Sequence, residues 1–223
     1  MSASARTGVV IAIDGPSGSG KSSTSRGVAS RLGLRYLDTG ATYRAMTWWM
    51  LEHGVPVDDA VEVARRCVEP VIVAGTDPSA PTITVDGRDA SVQIRTAEVT
   101  GAVSAVSTVP EVRARLTSLQ RDIIDGGGIV VEGRDIGSAV APDAEVKVYL
   151  TADAAARAAR RAAEEGGADV RATQSSLLAR DRIDSTRTAS PLTMAEGAVH
   201  LDSTPFTLDE VIDQIARLVE ERT

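Results

Sequence analysis

The chain reads VVIAIDGPSGSGKSS from Val9 to Ser23, a short apolar run that breaks into glycines and then into a lysine and hydroxyl residues. Residues 15–22 match the spacing G-x-x-x-x-G-K-[ST], in which glycines let backbone N–H groups wrap around phosphate oxygens. In this pattern Lys21 reaches the outer phosphates and Ser22 is a ligand of Mg²⁺. The predicted phosphate-binding loop consists of Gly15, Pro16, Ser17, Gly18, Ser19, Gly20, Lys21, Ser22 and Ser23.

The surroundings of this loop favour a phosphate site over an incidental glycine-rich turn. Five apolar residues before it suit a buried parallel strand, and residues 23–32 carry a helical pattern that ends at Gly33. A phosphate bound there would lie at a helix N-terminus, where the dipole favours negative charge. Lys21 and Lys147 are the only lysines among 24 Lys and Arg residues, so a lysine in the loop suggests that a compact ammonium is required. We expect an α/β fold of the P-loop NTPase type, with a parallel sheet core and helices on both faces.

Length and composition limit the alternatives. The 223 residues suit a single α/β domain over 1–223, and the formal net charge of −7 argues against a general nucleic-acid binder. Cys67 is the one cysteine, which excludes an intrachain disulfide, and His53 and His200 lack the spacing of zinc ligands. Residues 1–8 are small and polar, and the apolar run after them is too short for a signal peptide or a membrane span. We expect a cytoplasmic monomer that binds neither nucleic acid nor membrane.

Charged and hydroxyl residues follow two further predicted strands. The second strand ends at Asp38 and Thr39, either of which can cap the next helix. An apolar strand at 129–131 leads into Arg134 and Asp135. Because ligands of open α/β sheets bind at the carboxyl ends of the strands, we expect Arg134 and Asp135 close to the phosphate loop.

Between residues 70 and 95 the spacing of apolar residues changes from helical to alternating. Short alternating runs separated by an Asp-Gly pair, the last over 90–94, predict a small antiparallel hairpin in an insertion of about residues 66–104. The hairpin follows the helix that carries Tyr43 and Arg44, so we interpret it as a lobe beside an acceptor pocket. A hairpin without a binding role is the alternative.

An Ala/Arg helix over 153–165 and a second helix over 173–183 are predicted on either side of a glycine pair. A solvated face would explain some of the arginines in this region, but arginine also suits bidentate phosphate recognition. We therefore predict a mobile helical lid over about residues 151–190 that closes on the phosphates. Its arginines are Arg157, Arg160, Arg161, Arg171, Arg180, Arg182 and Arg187.

Several motifs, taken in order, resemble those of the bacterial cytidylate kinases, of the nucleoside monophosphate kinase family. They are GPSGSGKS, LDTGATYR, Ile94-Arg95-Thr96, VEGRDIG and ARDRIDSTRTASPL. The resemblance covers about residues 9–222 and is far more specific than the phosphate loop alone. It implies an enzyme of pyrimidine nucleotide metabolism that uses ATP and Mg²⁺ to phosphorylate CMP and dCMP, with the insertion as the CMP-binding lobe.

The resemblance also implies roles for individual residues. Those implied to hold the acceptor nucleotide are Thr39, Tyr43, Arg44 and Arg134. Those implied to read the cytosine are Ser104, Arg113 and Asp135. Those implied to lie by the ribose and phosphate are Arg180 and Asp184. Those implied to act on the transferring group are Lys21, Arg134, Arg157 and Arg187. The cytosine set is chemically sensible, because a carboxylate accepts from the amino group of the base, and arginine or a hydroxyl donates to its O2 and N3.

Two positions depart from the family pattern. Glu132 stands where an Asp is usual, which leaves its role toward Mg²⁺ open, and Thr39 replaces a serine while keeping the hydroxyl.

A GTPase is disfavoured because the chain has no asparagine for an N-K-x-D motif. A kinase of the shikimate or gluconate type is disfavoured by the cytosine set and the hairpin. A nucleotide sensor without catalysis would be expected to lose the lid arginines.

Overall fold

The structure is a computed structural model that describes residues 8–164, 166–188 and 190–223. The expectation for residues 1–7 and the predicted helix end at Glu165 therefore lie outside the described residues. The strands are β1 (Val10–Asp14), β2 (Arg35–Asp38), β3 (Ile72–Ala74), β4 (Ile83–Val85), β5 (Arg88–Asp89), β6 (Ile129–Gly133), β7 (Val146–Thr151) and β8 (Val199–Asp202). The helices are α1 (Lys21–Leu32), α2 (Thr39–Glu52), α3 (Ala60–Arg66), α4 (Ala97–Ser107), α5 (Pro110–Ile124), α6 (Ala154–Glu164), α7 (Val170–Thr186) and α8 (Leu208–Arg222).

The central sheet is parallel, with the strand order β2-β6-β1-β7-β8 in the described part of the chain. Its register pairs Asp14 with Gly133 and Asp38 with Glu132. The carboxyl ends of β1, β2 and β6 therefore meet at one edge, and the phosphate loop leaves the sheet there. This confirms the predicted α/β class with a parallel core.

Both faces of the sheet are covered, as the apolar strands predict for a parallel arrangement. On β1, Ile11 and Ile13 are buried in one cluster that includes residues of α1 and α8, whereas Ala12 faces the opposite cluster with Ile124 of α5. The alternation follows from the two-residue period of a strand. In the described residues, no helix is long and apolar enough to cross a bilayer.

The second sheet is antiparallel, with the order β3-β4-β5, and it packs with α2, α4 and α5 around a separate buried cluster. The prediction of an alternating strand over 90–94 was wrong. The Asp89 carboxylate accepts from the backbone N–H and the hydroxyl of Ser91, at 2.9 and 2.6 Å, and turns the chain at that point. A 3₁₀ turn at Gln93–Arg95 follows, and Ala90 before it and Ile94 within it are both buried.

Candidate functional site

Three glycines of the phosphate loop, Gly15, Gly18 and Gly20, have a positive φ that side chains rarely adopt, and two of them show why glycine is needed. Gly20, which precedes α1, has a φ of 88°, and a Cβ on Gly15 would lie 2.0 Å from the Leu150 carbonyl oxygen. At Gly20 the constraint is the positive φ itself, whereas at Gly15 it is also the close passage of the loop against β7. The loop ends at the first turn of α1, where unpaired N–H groups can donate hydrogen bonds to a bound anion.

Lys21 lies under this loop and is 6% exposed. Its Nζ donates to the Pro16 carbonyl oxygen at 2.7 Å and lies 3.5 Å from the Ser19 hydroxyl. Burial, and next the charge of Arg134, lower the pKa of Lys21 to about 7. An anion in the loop would relieve both effects, because it brings negative charge to a buried ammonium.

The side chains of Ser22 and Glu132 bring together two oxygen groups beside the loop, a pair that suits a hard cation. Ser22 Oγ donates to Glu132 Oε2 at 3.0 Å, and the Tyr36 hydroxyl donates to the other carboxylate oxygen. Burial, and then the charge of Asp38, raise the pKa of Glu132. The described residues contain no group of three or more His, Cys, Asp and Glu side chains arranged to hold a metal. Mg²⁺, which prefers oxygen ligands and often takes several from substrate phosphates, fits this sparse set.

A cavity of about 210 Å³ opens beside the loop. It is lined by more cations than carboxylates, although the chain as a whole carries a net charge of −7. The cations are Lys21, Arg44, Arg95, Arg113, Arg134, Arg161, Arg180 and Arg187, and the carboxylates are Asp38, Glu132, Asp135 and Asp184. A positive, enclosed cleft of this kind attracts anionic substrates.

The residues predicted to read a base come together at this cavity. Arg113 Nη2 donates to Asp135 Oδ2, and both side chains are 7% exposed. Arg187 Nη2 approaches the other Asp135 oxygen at 3.3 Å. Ser104 lines the same cavity, and the Arg113 guanidinium lies 5.6 Å from the centre of the Tyr43 ring. The site thus holds a carboxylate, a guanidinium and a hydroxyl, which together can meet both donors and acceptors of a planar base.

The residues predicted to hold an acceptor phosphate are positioned by carboxylates. Asp38 caps α2 through Oδ1, and its Oδ2 accepts from Arg44 Nη2 at 2.8 Å. Arg134 Nε donates to Asp184 Oδ2 at 2.9 Å, and its Nη2 donates to the Ser17 hydroxyl at 2.7 Å. Arg134 therefore joins the phosphate loop to α7 through its side chain.

Thr39 and Arg180 complete the predicted acceptor set at the cavity. The Thr39 hydroxyl donates to the Glu132 carbonyl oxygen at 2.7 Å. Burial, and next the charge of Arg134, lower the pKa of Arg180 to about 10, and its buried Nε has no hydrogen-bond partner among the described residues. A buried donor without a partner is costly, so this position favours an incoming acceptor such as a phosphate oxygen.

Arg157 does not line the cavity, unlike the other arginines implied to act on the transferring group. Its Nη1 donates to the Ser17 carbonyl oxygen at 2.8 Å and to the Asp181 carboxylate. Arg160, on the same helix, instead donates to the Ser203 hydroxyl and carbonyl oxygens, each at 3.0 Å. Arg157 and Arg160 therefore make different contacts, with the phosphate loop and α7 in one case and with Ser203 in the other, although their spacing puts them on one face of α6.

Sequence reasoning missed two carboxylates at this site. Asp181 Oδ1 accepts from the backbone N–H of Ser17 at 3.0 Å, and Asp14 accepts from the backbone N–H groups of Ile136 and Gly137, each at 2.8 Å. Asp14 ends an apolar strand, which marks it as a candidate, but no local pattern shows which N–H groups it binds. Asp181 carries no such signal, since it is one charge among many on α7.

Comparisons with known proteins agree with this geometry. A family model described as cytidylate kinase matches residues 11–221. The chain is 60% identical over 218 residues to a cytidylate kinase from Streptomyces griseus subsp. griseus, covering 97% of this chain and 94% of that protein. It is 52% identical over 221 residues to a cytidylate kinase from Nocardia farcinica, covering 97% and 95%. An uncharacterised protein from Eubacterium ventriosum has a similar fold, with a TM-score of 0.54, 12% identity and coverage of 96% and 99%.

Proposed function

The chain belongs to the cytidylate kinase family, and on this premise we propose that it transfers the γ-phosphoryl group of ATP to CMP or dCMP, giving ADP and CDP or dCDP. It is an ATP-dependent kinase, that is, a phosphotransferase. The single observation that carries the choice of acceptor is that Ser104, Arg113 and Asp135 line the same cavity as the phosphate loop. A donor and a base-containing acceptor could then occupy one enclosed site.

On the donor side, the loop N–H groups and Lys21 would hold the ATP phosphates. Ser22, with Glu132 behind it, would hold Mg²⁺, which supplies charge neutralisation at the phosphates when bound. Lys21 is already directed inward by its bond to the Pro16 carbonyl oxygen, so little reorganisation is needed when the phosphates arrive.

On the acceptor side, Asp135 would accept a hydrogen bond from the cytosine amino group, and Arg113 and Ser104 would donate to the ring acceptors. The ion pairs of Asp135 with Arg113 and Arg187 hold the carboxylate in place. UMP has a carbonyl oxygen where CMP has the amino group, so the same carboxylate would oppose a lone pair. Arg44, Arg134, Arg180 and Asp184 would hold the phosphate and ribose.

Transfer itself then depends on alignment and on cationic charge. The acceptor phosphate is an anion at neutral pH and needs no general base to become a nucleophile. Arg134, Arg187 and, after release from Asp181, Arg157 would neutralise charge on the moving group. We propose that residues 66–104 form the acceptor-binding insertion and that residues 151–190 form a lid, since exclusion of water prevents hydrolysis of ATP.

A coupled assay of ADP release, run with CMP, dCMP, UMP, AMP and shikimate as acceptors, tests this proposal. We expect turnover with CMP and dCMP and a much lower kcat/KM for the other three. Equal values for CMP and UMP would contradict the cytosine reading, and turnover with shikimate alone would indicate a small-molecule kinase. Binding of ATP without turnover on any acceptor would indicate a nucleotide sensor.

Lys21→Ala is the matched test of the donor side. It removes the cation under the β and γ phosphates, and we expect kcat to fall by about a hundredfold or more. Lys147→Ala is the control, because it removes the other lysine of the chain, whose Nζ donates on the exposed surface to the backbone carbonyl oxygen of Glu196. Near-normal kcat in Lys21→Ala would remove this side chain from the mechanism.

A further inference from the structure

Asp14 is a buried carboxylate to which the proposed reaction assigns no role. It is the last residue of β1, it directly precedes Gly15 of the phosphate loop, and it is 3% exposed. It does not line the cavity. Its Oδ1 accepts from the Ile136 backbone N–H and its Oδ2 from that of Gly137, each at 2.8 Å.

The two N–H groups that donate to Asp14 belong to the first two residues of a short π-type turn at Ile136–Val140. Asp135, the residue before this turn, makes no side-chain cap for it. Asp14 therefore supplies from β1 the acceptors that the turn lacks locally. Because Arg134 and Asp135 immediately precede the turn, these two bonds help to hold both residues in place relative to the phosphate loop, together with the bond from Arg134 to Ser17.

The surroundings of Asp14 shift its pKa in opposite directions. Burial is the main cause that raises its pKa to about 6, and Asp135 adds to this, whereas the bonds from Gly137 and Ile136 and the charge of Lys21 oppose it. Tyr149 is its neighbour in register on β7. Hydrogen bonds from two backbone N–H groups are stronger to an ionised carboxylate than to a neutral carboxyl group, whose own O–H must point away from them.

We propose that Asp14 is a positioning residue that ties the phosphate loop to the Arg134-Asp135 segment and so sets the affinity for the acceptor nucleotide. This inference rests on the proposed function, since it takes CMP as the acceptor. It adds a residue that touches neither substrate: Asp14 acts through the backbone of Ile136 and Gly137. Donor affinity, which depends on the loop itself, should change much less.

Isothermal titration of CMP and of ADP into wild-type enzyme and Asp14→Asn tests this. The amide keeps the shape but can accept only one of the two N–H groups, so we expect the Kd of CMP to rise about tenfold at pH 7.5, while the Kd of ADP changes by less than about threefold. Asp143→Asn, the same change at an exposed aspartate after the turn, is the control and should match wild type. Unchanged CMP affinity, or an equal loss for CMP and ADP, would overturn the proposal.

The pH dependence separates positioning from simple packing. Below pH 6 the wild-type carboxyl takes up a proton and loses acceptor strength, so the ratio of the two CMP Kd values should shrink at pH 5 to about threefold or less. The phosphate of CMP titrates equally in both measurements and cancels in this ratio. A ratio that stays constant from pH 7.5 to pH 5 would also overturn the proposal.

Two further outcomes are distinguishable. If wild-type enzyme does not bind CMP, the proposed function fails, and the Asp14 proposal fails with it. If Asp14→Asn does not fold, titration of wild-type enzyme with cytidine, which has no phosphate, replaces the comparison. The Kd of cytidine should then rise about fivefold from pH 7.5 to pH 5, and a constant Kd would overturn the proposal.

Discussion

Lys21 leads to a prediction about proton uptake. Without an anion in the loop, burial and the charge of Arg134 lower its pKa from the ordinary 10.5 to about 7. At pH 8, above this value, Lys21 is therefore largely uncharged in the free enzyme. Donor phosphates supply the missing negative charge and return the pKa toward its ordinary value. Binding of ADP at pH 8 should thus take up between about half a proton and one proton per site.

The magnitude follows from the same change in pKa. A fall from 10.5 to about 7 corresponds to about 5 kcal/mol against the charged ammonium, which the bound phosphates offset. The Kd of ADP should therefore rise with pH above 7, by up to about tenfold per pH unit. In the free protein, the unfolded state binds this proton more tightly between pH 7 and 10.5. Lys21 accordingly makes the free folded state more stable as the pH rises through that range.

The assay is isothermal titration of ADP in metal-free solution at pH 8, repeated in buffers that differ in ionisation enthalpy. The slope of the observed enthalpy against buffer enthalpy gives the number of protons. Lys21→Met should bind ADP with no uptake, and Lys147→Met should retain the wild-type value. An uptake below about 0.2 proton in wild type would refute the reasoning, because Lys21 would then already be charged in the free enzyme.

Three further predictions concern single residues. Asp135→Ala should lower the ratio of kcat/KM for CMP over UMP by about tenfold, since the carboxylate that opposes the uracil carbonyl is gone; paired kinetics that keep the ratio would contradict this. Gly27→Ala should destabilise the fold by about 1–3 kcal/mol in urea unfolding, because its Cβ would lie 2.2 Å from Ile212 Cδ1. Gly101→Ala, with nothing within 4 Å, is the control and should lose no stability. Thr207→Ala removes the capping box of α8 and should lower the free energy of unfolding by about 1 kcal/mol, whereas an unchanged urea midpoint would deny the cap a role.

The fold was predictable where a local signal was strong. The helix at Pro110–Ile124 is an example, because a proline suits its first turn and a glycine run follows its end, and both are visible in the sequence. The strand at 90–94 was mispredicted because alternating apolar letters also fit a turn that Asp89 starts through its own side chain. A short apolar run does not distinguish the two, since only Ala90 and Ile94 face the core.

The residues of the site were easier to predict from the sequence than the contacts between them. The roles of Ser104, Arg113 and Asp135 came from a family resemblance, and the structure adds that Arg113 and Asp135 form a buried ion pair. Asp14 and Asp181 were missed because each acts on a backbone N–H far along the chain. No local pattern reveals such a bond.

The sequence by itself determined the phosphate loop, because its glycine conformations, its lysine and the helix that follows depend on about eight adjacent residues. Tertiary structure alone decided which charges meet. Arg157 reaches Ser17 across 140 residues, and Asp14 reaches Ile136 across 122. It also decided the lowered pKa of Lys21 and the raised pKa of Asp14. The physical reason is that turn chemistry is set by neighbours in the chain, whereas burial and Coulomb interaction depend on distance in space.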